Sequence, residues 1–400
     1  MRKIKILFIH HGIGVGGAPI SLLNLINHLD SERFHCKVAF VKNSQVVDLF
    51  KKNGIETQII GSSNVWFSHN ESGKIQWRFF YKYWEIYKHW KRTAYCDAPK
   101  FLATQDFDIL HLNSHVLSSW AVAGQNMGKK VVLHNREAIS KGYFGFRYKI
   151  LKSIIEKNCD SIINISYDNY NRLGLEKNSS VVYNFITIPS SIRQSIETEK
   201  QSYKVLYLGG MAKIKGFETV VSCLAYLNKG ITVQFAGNYM NLGSSESFKK
   251  SLIKIAKHLM YYKKYKMLKN LLKAENAEFL GLLKDPLDYI DKCDVLITPF
   301  SITHFSRPAI EAMAYAKPVI GTDVEGMDEI IDHNINGLIV EKNNPKVLAH
   351  AINYLAENPN HAKSMGLKGR EKAIQMFSPE PNIKKIENIY QNLFDTKNSG

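Results

Sequence analysis

Short apolar runs alternate along the chain with longer stretches whose apolar positions recur every three or four residues. The runs read as strands near 3–9, 36–41, 56–60, 108–112, 130–134, 161–165 and 180–183. The longer stretches read as helices near 19–30, 44–53, 75–104, 116–128, 145–158 and 168–174. Continuous rather than alternating apolar strands are buried on both faces, and strand–helix alternation of this kind is satisfied by a parallel sheet with helices on each side. A polar stretch without periodicity, Thr187 to Gln201, interrupts the pattern and reads as a linker. Strands then resume at 203–208, 231–236, 277–280, 294–298, 318–321 and 337–340, each followed by helical sequence. The fold class is therefore α/β, with two doubly wound domains over 1–190 and 200–378. Ligands of such sheets bind outside the carboxyl ends of the strands, so a cleft between the two domains is the expected site. The tail 380–397, helical over 382–396, has no strand after it and is expected to pack back on the first domain.

Composition narrows the class. A chain of 400 residues with 45% hydrophobic content suits two cores better than one. The amino terminus offers about four consecutive apolar residues before His10, short of a secretory leader's core of roughly 7–15. No apolar run approaches the roughly 18 residues that a membrane span requires. The five cysteines are scattered without a C-x-x-C pair, which fits neither a zinc site nor a disulfide framework and points to a reduced, cytosolic protein. A formal charge of +17 calls for an acidic partner: nucleic acid, a nucleotide-bearing substrate or an anionic membrane face. Nucleic acid fits least, because no zinc-finger, basic-zipper or ribonucleoprotein pattern is present.

Candidate chemistry concentrates in the second half. In Phe305-Ser306-Arg307-Pro308-Ala309-Ile310-Glu311 a helix opens near Pro308, where a missing N–H costs nothing, and ends before Lys317-Pro318. Arg307 and the free N–H groups of that first turn favour an anion such as a diphosphate. Glu311, one turn further, can accept hydrogen bonds from a vicinal diol such as a ribose. The second domain opens with strand sequence, the turn Gly209-Gly210, and then Lys213 and Lys215 at the mouth of a helix. A lysine there places a point charge against a pyrophosphate.

The first domain has its own glycine loop, Gly12-Ile13-Gly14-Val15-Gly16-Gly17-Ala18-Pro19. Gly12, Gly14 and Gly17 satisfy G-x-G-x-x-G, the dinucleotide signature, but strand 36–41 ends in Lys42-Asn43 where a ribose-binding acid belongs. Gly16 and Gly17 allow close backbone approach to a substrate. Strand 130–134 delivers His134 to the carboxyl edge, where an imidazole can hydrogen-bond a sugar hydroxyl or a loop carbonyl. His10, His11, His111 and His115 also sit near strand ends, without the spacing or carboxylate partner of a metal site. Asp106-x-Asp108 precedes its strand and so belongs at the amino edge, away from any ligand.

Three motifs taken in order, Gly16-Gly17-Ala18-x-x-Ser21-Leu22, Gly209-Gly210-Met211-x-x-x-Lys215-Gly216, and Arg307-Pro308-x-x-Glu311-Ala312-Met313-Ala314 with Gly337-Leu338-Ile339-Val340, resemble the retaining glycosyltransferases of family 4. The resemblance implies a GT-B fold of two Rossmann-like domains and a hexosyl transfer without bound metal or other cofactor. It also implies a UDP- or GDP-sugar donor held by Gly16, Gly17, Gly210, Lys213, Lys215, Ser306, Arg307 and Glu311. Lys215 and an arginine would neutralise the leaving diphosphate, Glu311 would hold the ribose, and His134 would contact the transferred sugar. Two positions depart from the family pattern: Thr303 stands where a first glutamate is usual, eight residues before Glu311, and Gly210 where a phosphate-binding arginine is usual. A catalytically silent nucleotide-sugar-binding homologue and an NAD(P)-dependent oxidoreductase remain alternatives.

Two segments bear on the acceptor. Trp77 to Tyr95 holds nine aromatics mixed with Lys82, Lys88, Lys91 and Arg92, and Ser247 to Ala274 holds nine lysines with no acid. Either can pack as an ordinary half-buried helix or lie on an anionic leaflet, as a lipid-linked saccharide acceptor would need.

Overall fold

The computed structural model describes residues 2–12, 14, 16–61, 80–137, 139, 143–192, 202–237, 266–267, 271 and 273–398. They form two compact units, Met1–Ile186 with Ser378–Gly400, and Thr187–Phe377. The lysine-rich stretch 247–274 falls almost wholly outside the described residues.

The first unit is built on strands β1 (Ile4–His10), β2 (Phe34–Phe40), β3 (Glu56–Ile59), β4 (Ile109–Leu112), β5 (Lys130–Asn135), β6 (Ser161–Asn164) and β7 (Ser179–Val181). All pair in parallel, in the order β3-β2-β1-β4-β5-β6-β7. Successive residues of a strand point to opposite faces, so each central strand feeds two cores. Leu7, Ile9, Leu110, Leu112, Val131 and Leu133 join one, with Trp120 and Leu151 from the covering helices. Ile6, Phe8, Ile109, Val132 and Ile163 join the other. That second core is closed by the last helix, Pro379–Asn398, through Ile383, Ile386 and Tyr390, spaced three and four apart as one helical face requires. The stretch read as one helix over 75–104 is described from Phe80 onward and carries a π-turn, Thr93–Asp97, between the Phe80–Arg92 and Ala98–Leu102 segments. Asp108 lies at the amino edge, where it accepts from both terminal nitrogens of Arg2 at 2.8 Å, and Asp106 pairs with Lys5.

The second unit contains β8 (Tyr203–Tyr207), β9 (Ile231–Ala236), β10 (Ala277–Gly281), β11 (Val295–Thr298), β12 (Val319–Thr322) and β13 (Gly337–Val340). The sheet is parallel in the order β10-β9-β8-β11-β12-β13. Strand order runs outward from β8 in one direction and from β11 in the other. The order thus reverses between β8 and β11, the point at whose carboxyl ends sheets of this kind bind ligands. Among the described residues no helix is long and apolar enough to cross a membrane.

Candidate active site

The β8 edge is shaped by glycines that nothing larger can replace. A Cβ on Gly209 would stand 2.1 Å from the Tyr207 ring, and Gly210 (φ 57°) donates its N–H to Ala236 O at 3.0 Å. Gly210 is thus buried in backbone packing and adds no charge where the family pattern has an arginine. The chain then makes a 3₁₀ turn, Lys213–Lys215, and reverses at Gly216 (φ 78°), whose added Cβ would meet Pro299 O at 1.9 Å. That contact presses the lysine turn against the loop leaving β11, and Ser301 N–H donates to Ile214 O at 3.0 Å to hold it. Lys213 is exposed; Lys215 is half-buried, and burial lowers its ammonium pKa from the ordinary value.

From β11 the loop runs through Pro299 to Phe305. His304 stacks on Phe300 with ring centroids 4.1 Å apart. Burial first, and then the nearby Lys215 charge, push its pKa down to about 4, so the ring is neutral at neutral pH. Thr303 Oγ1 donates to Glu325 Oε2 at 2.8 Å, and Thr322 Oγ1 donates to Phe300 O at 2.6 Å, which ties this loop to the segment after β12.

The helix that follows, Arg307–Ala314, starts at Ser306. The Ser306 Oγ is fully buried and accepts from Ala309 N at 3.4 Å and from Thr298 Oγ1 at 3.1 Å. Its hydroxyl is an N-cap that fixes where the first turn's free N–H groups emerge, rather than a group presented to solvent. Arg307 and Glu311, expected to meet separate parts of a ligand, are joined to one another: Nε donates to Oε1 at 2.7 Å, one turn apart, with both side chains 14% exposed. The helix is braced from behind. A Cβ on Gly366 would stand 2.0 Å from Ala316 O, and Arg370 donates to Ala314 O at the helix end. Lys215 thus follows β8, and Arg307 and Glu311 lie on the helix that follows the adjacent strand β11.

In the first unit, Gly16 caps the Gly17–His28 helix with open space where side chains of Gly14, Gly16 and Gly17 would sit. Gly12 (φ 73°) is the constrained one, since a Cβ would meet Lys42 O at 2.5 Å. His134, at the carboxyl end of β5, is 3% exposed. Arg136 explains its setting: Nη2 donates to His134 Nδ1 at 3.2 Å, while Nε and Nη1 donate to Asn113 and Asn184, each at 2.6 Å. With Nδ1 accepting, the ring proton resides on Nε2, which has no partner among the described residues. Burial and the Arg136 charge hold the pKa of His134 well below 6.5, and the same two causes act on His111. The two rings meet edge to face at 5.3 Å. His115 lies 3.7 Å from Glu137, whose Oε2 also accepts from Ser114 Oγ at 2.9 Å. Among the described residues no three His, Cys, Asp or Glu side chains gather as a metal site would.

Known proteins share this architecture. Residues 190–372 match the family model for glycosyl transferases group 1, so the second unit is a domain of that family. An uncharacterized glycosyltransferase of Methanocaldococcus jannaschii, MJ1178, is 24% identical, with 95% of this chain and 96% of that protein covered. The N-acetyl-alpha-D-glucosaminyl L-malate synthase of Bacillus anthracis is 23% identical over 74% of this chain and 77% of its own length. Anabaena HepE, solved in complex with UDP, superposes with a TM-score of 0.74 at 16% identity, covering 97% of this chain and 100% of that one. The sucrose-phosphate synthase of Thermosynechococcus elongatus superposes at 0.68 with 18% identity, over 98% and 100%. The fold is GT-B.

Sequence reasoning did not single out His304, Glu325 or Tyr390. His304 and Glu325 matter through contacts between separate loops, and no local pattern marks such contacts.

Proposed function

We propose that the protein is a retaining glycosyltransferase that moves a hexose from a UDP- or GDP-sugar to a saccharide acceptor. The observation that carries this reading is the β8–β11 junction, where the Lys213–Lys215 turn is hydrogen-bonded to the loop leading into the Arg307–Ala314 helix. A half-buried ammonium and a serine-capped helix N-terminus from neighbouring strands suit a diphosphate. Breaking the glycosidic bond leaves that diphosphate with growing negative charge, and prearranged cations and N–H dipoles stabilise it as it forms. In this reading Lys215 and Arg307 supply the charge without a bound metal. Glu311, oriented by Arg307, takes the ribose diol, and the Nε2–H of His134 donates to a hydroxyl of the transferred sugar. UDP and UDP-glucose complexes of HepE favour uridine as the base.

The acceptor is read as a lipid-linked saccharide, in surface polysaccharide or glycolipid assembly, on the cytoplasmic face of an anionic membrane. Trp84 and Tyr87 are exposed beside Lys88, Lys91 and Arg92 on one helix, and Phe144, Phe146 and Ile150 are exposed near Lys149. Such surfaces suit a headgroup layer. Thermal-shift screening of UDP-, GDP- and dTDP-sugars, followed by assay of nucleoside diphosphate release with acceptor, tests the reading. Stabilisation by a sugar nucleotide with release supports transfer; stabilisation with no release under any acceptor would instead mark a silent binding homologue.

A further inference from the structure

Three loops at the carboxyl edge of the second sheet are laced together, and the lacing sets a charge order. Ser301 N–H reaches Ile214 O at 3.0 Å, joining the β11 loop to the lysine turn after β8. Thr322 Oγ1 reaches Phe300 O at 2.6 Å, and Thr303 Oγ1 reaches Glu325 Oε2 at 2.8 Å, joining the same loop to the segment after β12. Glu325 is exposed, and Gly326 (φ 85°) turns the chain directly behind it. Thr303 is followed by His304, which stacks on Phe300 and lies within the field of the Lys215 ammonium. Read along this edge, a cation comes first, then a neutral aromatic pair, then a carboxylate.

A sugar nucleotide has the complementary order: an anionic diphosphate, then a ring bearing hydroxyl donors. A carboxylate is acceptor-only and can take two hydroxyls at once through its two oxygens, in charge-assisted bonds stronger than neutral ones. We propose that Glu325, positioned by Thr303, is a specificity-determining residue that accepts hydrogen bonds from the hydroxyls of the transferred sugar and selects a neutral hexosyl group over a uronic one. This rests on the donor reading of the Lys215 edge. A sugar carboxylate placed against Glu325 meets like charge at close range, whereas a hydroxyl meets an acceptor.

Calorimetric titration of the full chain with UDP, UDP-glucose and UDP-glucuronate, and with GDP and GDP-mannose, tests it using Glu325→Gln and Thr303→Val. Glu325→Gln keeps shape and an acceptor for Thr303 while removing the charge. The expected result is an affinity for the sugar nucleotide lower by about 10-fold, with affinity for the free nucleoside diphosphate unchanged within about twofold. The gap between UDP-glucose and UDP-glucuronate should also narrow, and Thr303→Val should show a smaller loss in the same direction. Unchanged sugar-nucleotide affinity and unchanged discrimination in Glu325→Gln, with diphosphate binding intact, would overturn the proposal and leave the donor reading standing. Failure of the unmodified protein to bind any of these ligands would overturn both.

Discussion

The phenol of Tyr390 lies 2.8 Å from Nδ1 of His111, across 279 positions of sequence, with both side chains fully buried. This bond fastens the last helix to β4 in the layer that also holds His134. Tyr390→Phe keeps the ring's packing but strands a buried ring nitrogen, which costs about 1–3 kcal/mol. Urea unfolding should show that loss in the unit that contains Ser378–Gly400. An unchanged midpoint would mean that the bond contributes nothing net.

The same layer predicts sensitivity to acid. His111 and His134 have folded pKa values held well below 6.5, chiefly by burial. The unfolded chain therefore binds more protons than the folded one once pH drops below about 6.5, and stability must fall as pH falls through that point. The stability is fully present above it. His304, pushed down to about 4, adds to the loss between roughly 6.5 and 4. Melting temperatures measured from pH 7.5 to 5 should decline below 6.5 with net proton uptake on unfolding. A flat profile would contradict the burial of neutral imidazoles.

Gly216 offers a backbone test. Its φ of 78° is strained for any residue with a Cβ, and that atom would stand 1.9 Å from Pro299 O. Gly216→Ala should destabilise the second unit by roughly 2 kcal/mol or more and separate the lysine turn from the β11 loop. Circular dichroism melts with diphosphate titration would report both effects. Binding at normal affinity in a stable variant would show that the close approach is unnecessary.

Ser306 separates positioning from contact. Removing a serine N-cap costs about 1 kcal/mol, and here it also leaves the buried Thr298 hydroxyl without its partner. Ser306→Ala should therefore lower stability more than it lowers ligand affinity, measured side by side by denaturation and calorimetry. The reverse order would assign its hydroxyl to the ligand.

Much of this architecture is legible in the chain alone, because buried parallel strands are continuous apolar runs and the helices between them repeat at three and four residues. The two doubly wound sheets and the helix at Arg307 follow from that periodicity. The Arg307–Glu311 pair was visible as an i, i+4 spacing, but whether two such groups face a ligand or one another depends on side-chain direction, which spacing leaves open. His134 at the carboxyl edge of β5 is legible because sequence shows where the strand stops, while its bond to Arg136, itself held by Asn113 and Asn184, joins segments that no local pattern connects. Tyr390–His111 and Thr303–Glu325 are contacts between distant segments, and nothing in either neighbourhood signals the other.

The central claim is that the β8–β11 junction holds a leaving nucleoside diphosphate. Replacing Lys215 by alanine removes a half-buried charge from that junction without opening the core. Turnover, followed as nucleoside diphosphate released with donor and acceptor, should fall about 10²–10³-fold while the melting temperature stays close to that of the parent. Transfer at nearly the parental rate by a folded Lys215→Ala protein would contradict the account.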